Sequence, residues 1–170
     1  LYGNSNINIS GSPTIKGSIY GGGRGYNLAS DKPNLAQMDG TSTITISGTP
    51  TITGNIYGAG MGLTNYAEMA KFTGTANVNI NADLSTSVFG GGNQAPTGTS
   101  ENNNSLSKVN IVGGSIGKNV YGGANTSVVY GNTLTNIGYE AVNDTSLTKG
   151  DIVIEGTVFG GGEANASGSE

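Results

Sequence analysis

The sequence predicts an all-β fold: a parallel β-helix or solenoid, right-handed coiling favoured, of about five to six rungs with loop insertions at one corner. Three observations lead there. Gly, Asn, Thr and Ser supply 88 of the 170 residues, and these are turn formers or weak helix formers whose side chains compete for backbone hydrogen bonds. A motif of aliphatic, aromatic and glycine residues recurs six times, at Leu1-Tyr2-Gly3, Ile19-Tyr20-Gly21, Ile56-Tyr57-Gly58, Val88-Phe89-Gly90, Val120-Tyr121-Gly122 and Val158-Phe159-Gly160. Upstream of it lie alternating pairs, Ile7/Ile9, Ile44/Ile46, Val78/Ile80 and Val109/Ile111, separated by Asn or Thr. A flexible glycine linker would not keep 34% hydrophobic residues at such fixed offsets.

Each element of a rung follows from these spacings. Four residues before the aliphatic position stands another, Ile15, Ile52, Leu84, Ile116 and Ile154 in turn. Side chains alternate across a strand, so an inward Ile19, Ile56, Val88, Val120 and Val158 sends the aromatic neighbours outward as a ladder. The predicted inward column is Ile15, Ile19, Ile52, Ile56, Val88, Ile116, Val120, Ile154 and Val158. The glycines suit a corner, because they tolerate positive φ and bring no side chain against the next rung. The first-strand pattern fades in the last copy, where Leu147 or Ile152 could fill it.

Aromatic positions are 18, 37, 32, 32 and 38 residues apart. The expectation is a minimal turn of 18 residues, lengthened in later copies by insertions after the glycines; two rungs in each of the 37- and 38-residue intervals is the alternative. Insertion 24–40 holds Asp31-Lys32-Pro33 followed by Leu35 and Met38, a start signal for a helical turn. Insertion 61–74 places Leu63, Tyr66, Met69 and Phe72 three apart, as a short amphipathic helix would. Insertion 93–104, around Gln94-Ala95-Pro96-Thr97-Gly98, reads as an exposed loop that covers nothing, leaving Phe89 open to a partner. Insertion 125–145 alternates around Val129 and Leu134 and reads as a small hairpin, and the insertions together are expected to bury the aromatic ladder.

Composition also limits the chemistry. With neither His nor Cys, the usual serine, cysteine and zinc hydrolase sites and a disulfide framework are excluded. A formal charge of −4 with one arginine, Arg24, argues against nucleic acid or an anionic membrane, and no apolar run approaches a membrane span. The glycine clusters lack the Gly-Lys-Ser/Thr of a phosphate loop. Calcium-binding nonapeptide turns need an aspartate per rung, whereas Arg24, Met61, Asn93, Asn125 and Glu163 follow the glycines; Asn93 and Asn125 read as a stacked amide pair. Outward Asn6/Asn8, Thr43/Thr45, Asn77/Asn79 and Lys108/Asn110 form a flat polar face, too irregular for ice binding and second in line as a glycan-binding surface. The acids Asp31, Asp39, Glu68, Glu101, Glu140 and Asp144 sit in insertions of different length, and Asp83, Asp151 and Glu155 at non-equivalent rung positions, so no carboxylate pair for glycoside cleavage lines up.

The segments Gly54-Asn55-Ile56-Tyr57-Gly58 and Asn119-Val120-Tyr121-Gly122-Gly123 resemble the glycine-rich repeats of large secreted or wall-anchored proteins of gut bacteria, whose stalks are β-solenoids of the pectate-lyase-like or adhesin kind. The resemblance covers most of the chain and is compositional. It implies a secreted or cell-surface location and a binding role, with host glycans, mucins or immunoglobulins as ligands. It carries over no site residue, and the clustered acids and bases of polysaccharide lyases are missing. Residues 1–170 are read as one domain, a fragment of a longer repeat protein whose ends continue into neighbouring repeats of the same chain. The expected function is a non-catalytic binding and display module, not an enzyme and without a cofactor; a carbohydrate-active solenoid is the alternative and a structural spacer the third reading. Interface-forming types concentrate in the insertions, making Arg24, Tyr26, Tyr66, Lys71, Tyr130 and Tyr139 the candidate partner-binding residues.

Overall fold

An alternating strand so rich in glycine holds its extended backbone only where neighbouring strands pair with it. The computed structural model describes residues 1–26, 35–63, 66, 68–101, 103–138 and 151–164, and among these every strand pairing is parallel. One sheet runs β1 (Ser5–Ile9), β4 (Met38–Gly48), β7 (Phe72–Ala82), β9 (Ser105–Ile116) and β11 (Gly131–Ile137), side by side in that order. A second runs β3 (Ile19–Tyr20), β6 (Ile56–Tyr57), β8 (Val88–Phe89), β10 (Val120–Tyr121) and β13 (Val158–Phe159). Between them β2 (Thr14–Ile15) pairs with β5 (Thr51–Ile52), and β12 (Ile152–Ile154) with the far end of β9. The chain is a parallel β-solenoid of about four turns that stacks five copies of the aromatic position.

The core lies inside the coil. Ile44, Ile46, Val78, Ile80, Val109 and Ile111 from the first sheet meet Ile56, Val88 and Val120 from the second, all fully buried, with Ile52, Leu84 and Ile116 closing the third side. The predicted inward column holds through the middle turns, whereas Val158, on the last described turn, is exposed. A smaller cluster, Met38, Ala59, Phe72 and Ala76, sits beside the main one.

The motif glycines are explained by close approach. A Cβ on Gly21, Gly58, Gly90 or Gly122 would stand 2.3, 2.2, 2.3 or 2.4 Å from the carbonyl oxygen of the equivalent glycine one turn on, a distance no Cβ reaches. Positive φ is not the reason, since none of these four is among the residues with that conformation.

Four sequence-based expectations are corrected by the register. The turn is 32 to 38 residues, not 18, and each of these intervals contains one turn: Tyr20 pairs with Tyr57 and Tyr57 with Phe89, while Tyr2 pairs with Asp39 and is 93% exposed. The hairpin expected around Val129 and Leu134 is instead β11, which lies parallel on β9 and supplies the first strand of the last turn; Ile152 falls on the third side, and Leu147 lies outside the described residues. Segment 93–104 is not a loose loop, because Asn93 bridges Met61 and Asn125, Thr97 bridges Phe72 and Val129, and Ala95, Pro96, Thr97 and Gly98 are buried. Its small residues fit the narrow space between turns, which is why they resembled a loop.

No helix forms among the described residues. Tyr66 N–H donates to Leu63 O and Met69 N–H to Tyr66 O, two successive four-residue turns, after which Ala70 at φ 52° ends the run and its N–H donates to Leu35 O. Phe72 is then held in β7 by pairing with Met38, so the three-residue spacing reflects turns rather than a helix. The helical start at Asp31-Lys32-Pro33 lies outside the described residues, and Leu35 to Gln37 carry no regular structure.

Candidate functional site

Above each motif glycine the chain turns through a corner, and the corners themselves stack. Arg24, Met61, Asn93, Asn125 and Glu163 form one column of parallel bridges. Gly25, Gly62, Gln94 and Thr126 follow, each donating its N–H to the carbonyl of the next residue in that column, at 2.8 to 2.9 Å. Side chains beyond this column vary from turn to turn, so the corner is where the solenoid stops repeating.

On this corner lies a groove of about 450 Å³, drawn from three consecutive turns. The first of these turns contributes Leu63, Tyr66, Glu68 and Lys71, the second Gln94, Pro96 and residues 98–101, and the third Thr126, Ser127, Val128 and Tyr130. Tyr66 and Tyr130 are 38% and 37% exposed, leaving ring surface for a ligand. Lys71 Nζ is ion-paired with Glu68 Oε2, and Gln37 Nε2 donates to the same carboxylate at 3.1 Å. Glu101 is exposed at the groove's edge.

Of the predicted site residues, Tyr66, Lys71 and Tyr130 are brought together in this groove. Arg24 and Tyr26 do not line it: they sit at the same corner one turn earlier, with the guanidinium 5.9 Å from the Tyr26 ring centroid. Tyr139 lies outside the described residues. Gln94, Thr99 and Glu101 were missed, because their turn read as empty loop and their opposition to Tyr66 and Tyr130 exists only once the turns stack.

The other candidate surfaces fare differently. The aromatic ladder is stacked, with ring centroids 4.9, 4.9, 4.6 and 4.9 Å apart from Tyr20 to Phe159, the spacing of paired strands. Its hydroxyls are held by side chains from both ends of the short strands: Asn55 and Asn125 donate to Tyr57 Oη, Asn93 to Tyr20 Oη and Asn119 to Tyr121 Oη, while Tyr121 donates to Glu163 Oε1 at 2.9 Å. Burial pushes the Tyr121 phenol above its ordinary range; the Asn119 bond opposes this, and the Glu163 carboxylate adds to it. Asn93 and Asn125 are register partners whose amides go to tyrosines rather than to each other. Phe89 is 1% exposed, so the gap expected beside it does not exist.

The polar face of the first sheet closes at mid-stack. Asn136 Nδ2 donates to Asn110 Oδ1 and Asn110 Nδ2 to Asn79 Oδ1, at 2.9 and 2.7 Å, and Asn110 is 2% exposed. An amide ladder so engaged has little left for a ligand. On the third side, a cavity of about 340 Å³ is lined by Asp83, Ser115 and Glu155 with Ile52 and Leu84, bringing together two acids that the sequence placed at unrelated positions. Asp83 Oδ1 accepts from Ser115 N–H and Oγ.

The chain matches no protein-family model, no curated protein and no solved structure.

Proposed function

We propose that this domain is a non-catalytic binding and display module of a bacterial secreted or cell-surface protein, adhesin-like in use, which engages a host glycan or a host glycoprotein of the mucin or immunoglobulin type through its corner segments. The observation that carries this reading is the groove across three turns, which two partly exposed tyrosines line together with polar side chains of the turn between them. Each turn supplies the same strand positions and a different corner, so the stack holds dissimilar side chains at fixed separations, as a recognition surface requires. Pull-down from host secretions followed by mass spectrometry tests it. Wild-type chain should retain a glycoprotein or glycan without turning it over, and the double variant Tyr66→Ala/Tyr130→Ala should lose it. Equal retention by both would sink the reading.

One observation favours the carbohydrate-active alternative: Asp83 and Glu155 line one cavity, and paired carboxylates are what glycoside cleavage uses. Release of product from a retained glycan, abolished by Asp83→Asn or Glu155→Gln, would decide for it. Silence in both assays would leave a spacer.

A further inference from the structure

The corner groove has a chemistry that narrows what it can take, and this narrowing rests on the binding-module reading above. Several backbone amides in and beside the groove are already engaged. Gln94 N–H donates to Asn125 O, Thr97 N–H to Val128 O, Gly98 N–H to Phe72 O and Tyr130 N–H to Thr97 O, so these amides are already spent within and between turns. An extended peptide that adds to a sheet needs a row of unpaired backbone groups, and these engaged amides interrupt such a row. Recognition is therefore assigned to the side chains.

Those side chains are two phenol rings, the Gln94 amide and the hydroxyls of Ser100 and Ser127, with Thr126 beside them, whose Oγ1 donates to Asn125 Oδ1 at 2.9 Å. A ring face with a polar tip, beside amide and hydroxyl groups that both donate and accept, matches a molecule with flat apolar patches rimmed by hydroxyls. Such a molecule is a pyranose sugar. The cavity of about 450 Å³ falls within the range of small-ligand sites.

Charge selects among sugars. The groove's ammonium, Lys71, is paired with Glu68, so those two charges cancel and Glu101 leaves the lining with one net negative charge. The whole chain repeats that sign, at −4. An acidic sugar would bring its carboxylate or sulfate against Glu101 with no cation left to receive it, and a like-charge contact is how an interface rejects a partner. We infer that the groove binds uncharged oligosaccharides and discriminates against sialylated or sulfated ones.

Calorimetric titration of the whole chain with lacto-N-neotetraose and with its sialylated and sulfated forms tests this. The uncharged tetrasaccharide should bind, and each acidic form should bind about tenfold more weakly or worse. Glu101→Gln should narrow that gap by strengthening the acidic forms relative to the uncharged sugar, and Tyr130→Ala should weaken the uncharged sugar about tenfold. Both side chains are exposed, and a circular dichroism melt establishes that each variant folds; the comparison among the three sugars needs no variant. Acidic forms that bind as well as the parent overturn the inference, as does absence of binding by the uncharged sugar at about 1 mM, the weak end of the affinity scale. A host glycoprotein whose capture survives enzymatic deglycosylation, yet is lost in Tyr66→Ala/Tyr130→Ala, overturns the sugar inference and leaves the binding module standing. Capture that ignores both tyrosines overturns both.

Discussion

At Ile56 and Tyr57 the chain is buried and each side chain lies against its own equivalents one turn above and below; at Tyr66, after the same turn's glycines, the ring is 38% exposed and has no equivalent in the next turn. Strand positions repeat because stacking demands self-complementarity: aliphatic on aliphatic, ring on ring, glycine under glycine. A position whose surface is consumed by its own copies cannot also serve a ligand. The corner is released from that demand beyond the bridge column, and there Tyr, Lys, Glu and Gln gather.

The sharpest way to break this contrast is at the strands. Ile56→Asp places an unpaired carboxylate in a column where the wild-type side chain is fully buried, and no cooperative melt should remain by circular dichroism. An unchanged midpoint would remove the column from the core. Deleting 94–100 comes next. If that segment were a loose loop the midpoint would hold, but the deletion takes out buried Ala95, Pro96 and Thr97 and the bridges to Phe72 and Val129. The expected loss, read by urea titration, is about 2–5 kcal/mol, comparable to emptying a core site.

That deletion also marks where sequence reasoning stops. The inward column was legible because Ile and Val recur at the same offsets before each motif, and a repeated environment leaves a repeated signature. The turn length was not, because Leu1-Tyr2-Gly3 copies the motif while pairing with Asp39, and only pairing separates a rung from its look-alike. β11 escaped notice because Thr133, Thr135 and Asn136 occupy the outermost described turn, which has less core to fill. Of the groove, Tyr66, Lys71 and Tyr130 were legible by residue type; their convergence with one another and with Gln94 and Glu101 depends on which turns are neighbours.

Smaller effects sharpen the contrast at its boundary, where corner side chains hold the ladder. The Tyr121 phenol has its folded pKa raised, so the folded state keeps a proton that the unfolded chain releases near pH 10. Stability from this group is therefore full below about pH 10 and falls as pH rises from there through the folded value. Chemical denaturation across that window should show a decline that Tyr121→Phe, the residue found at the equivalent Phe89 and Phe159, reduces; an identical decline in the variant would contradict burial as its cause.

Smaller still is Ser107. Its hydroxyl is fully buried and without a hydrogen-bond partner, whereas Ser42 on the same column donates to Gly58 O at 2.7 Å and Ala76 between them has no hydroxyl. Ser107→Ala should raise stability by up to about 1 kcal/mol. A loss of that size would mean the hydroxyl is engaged.

The separation of scaffold from recognition is tested most directly by amide hydrogen exchange on the whole chain, free and saturated with lacto-N-neotetraose or with whatever ligand the pull-down retains. Added protection should be confined to residues 68–71, 94–101 and 126–130, with the strand amides, paired in the free chain as well, exchanging at the same rate in both. Protection gained instead along the outer face of the first sheet, at Asn8, Thr45, Asn79 and Asn110, would place recognition on the repeating strands and contradict the account.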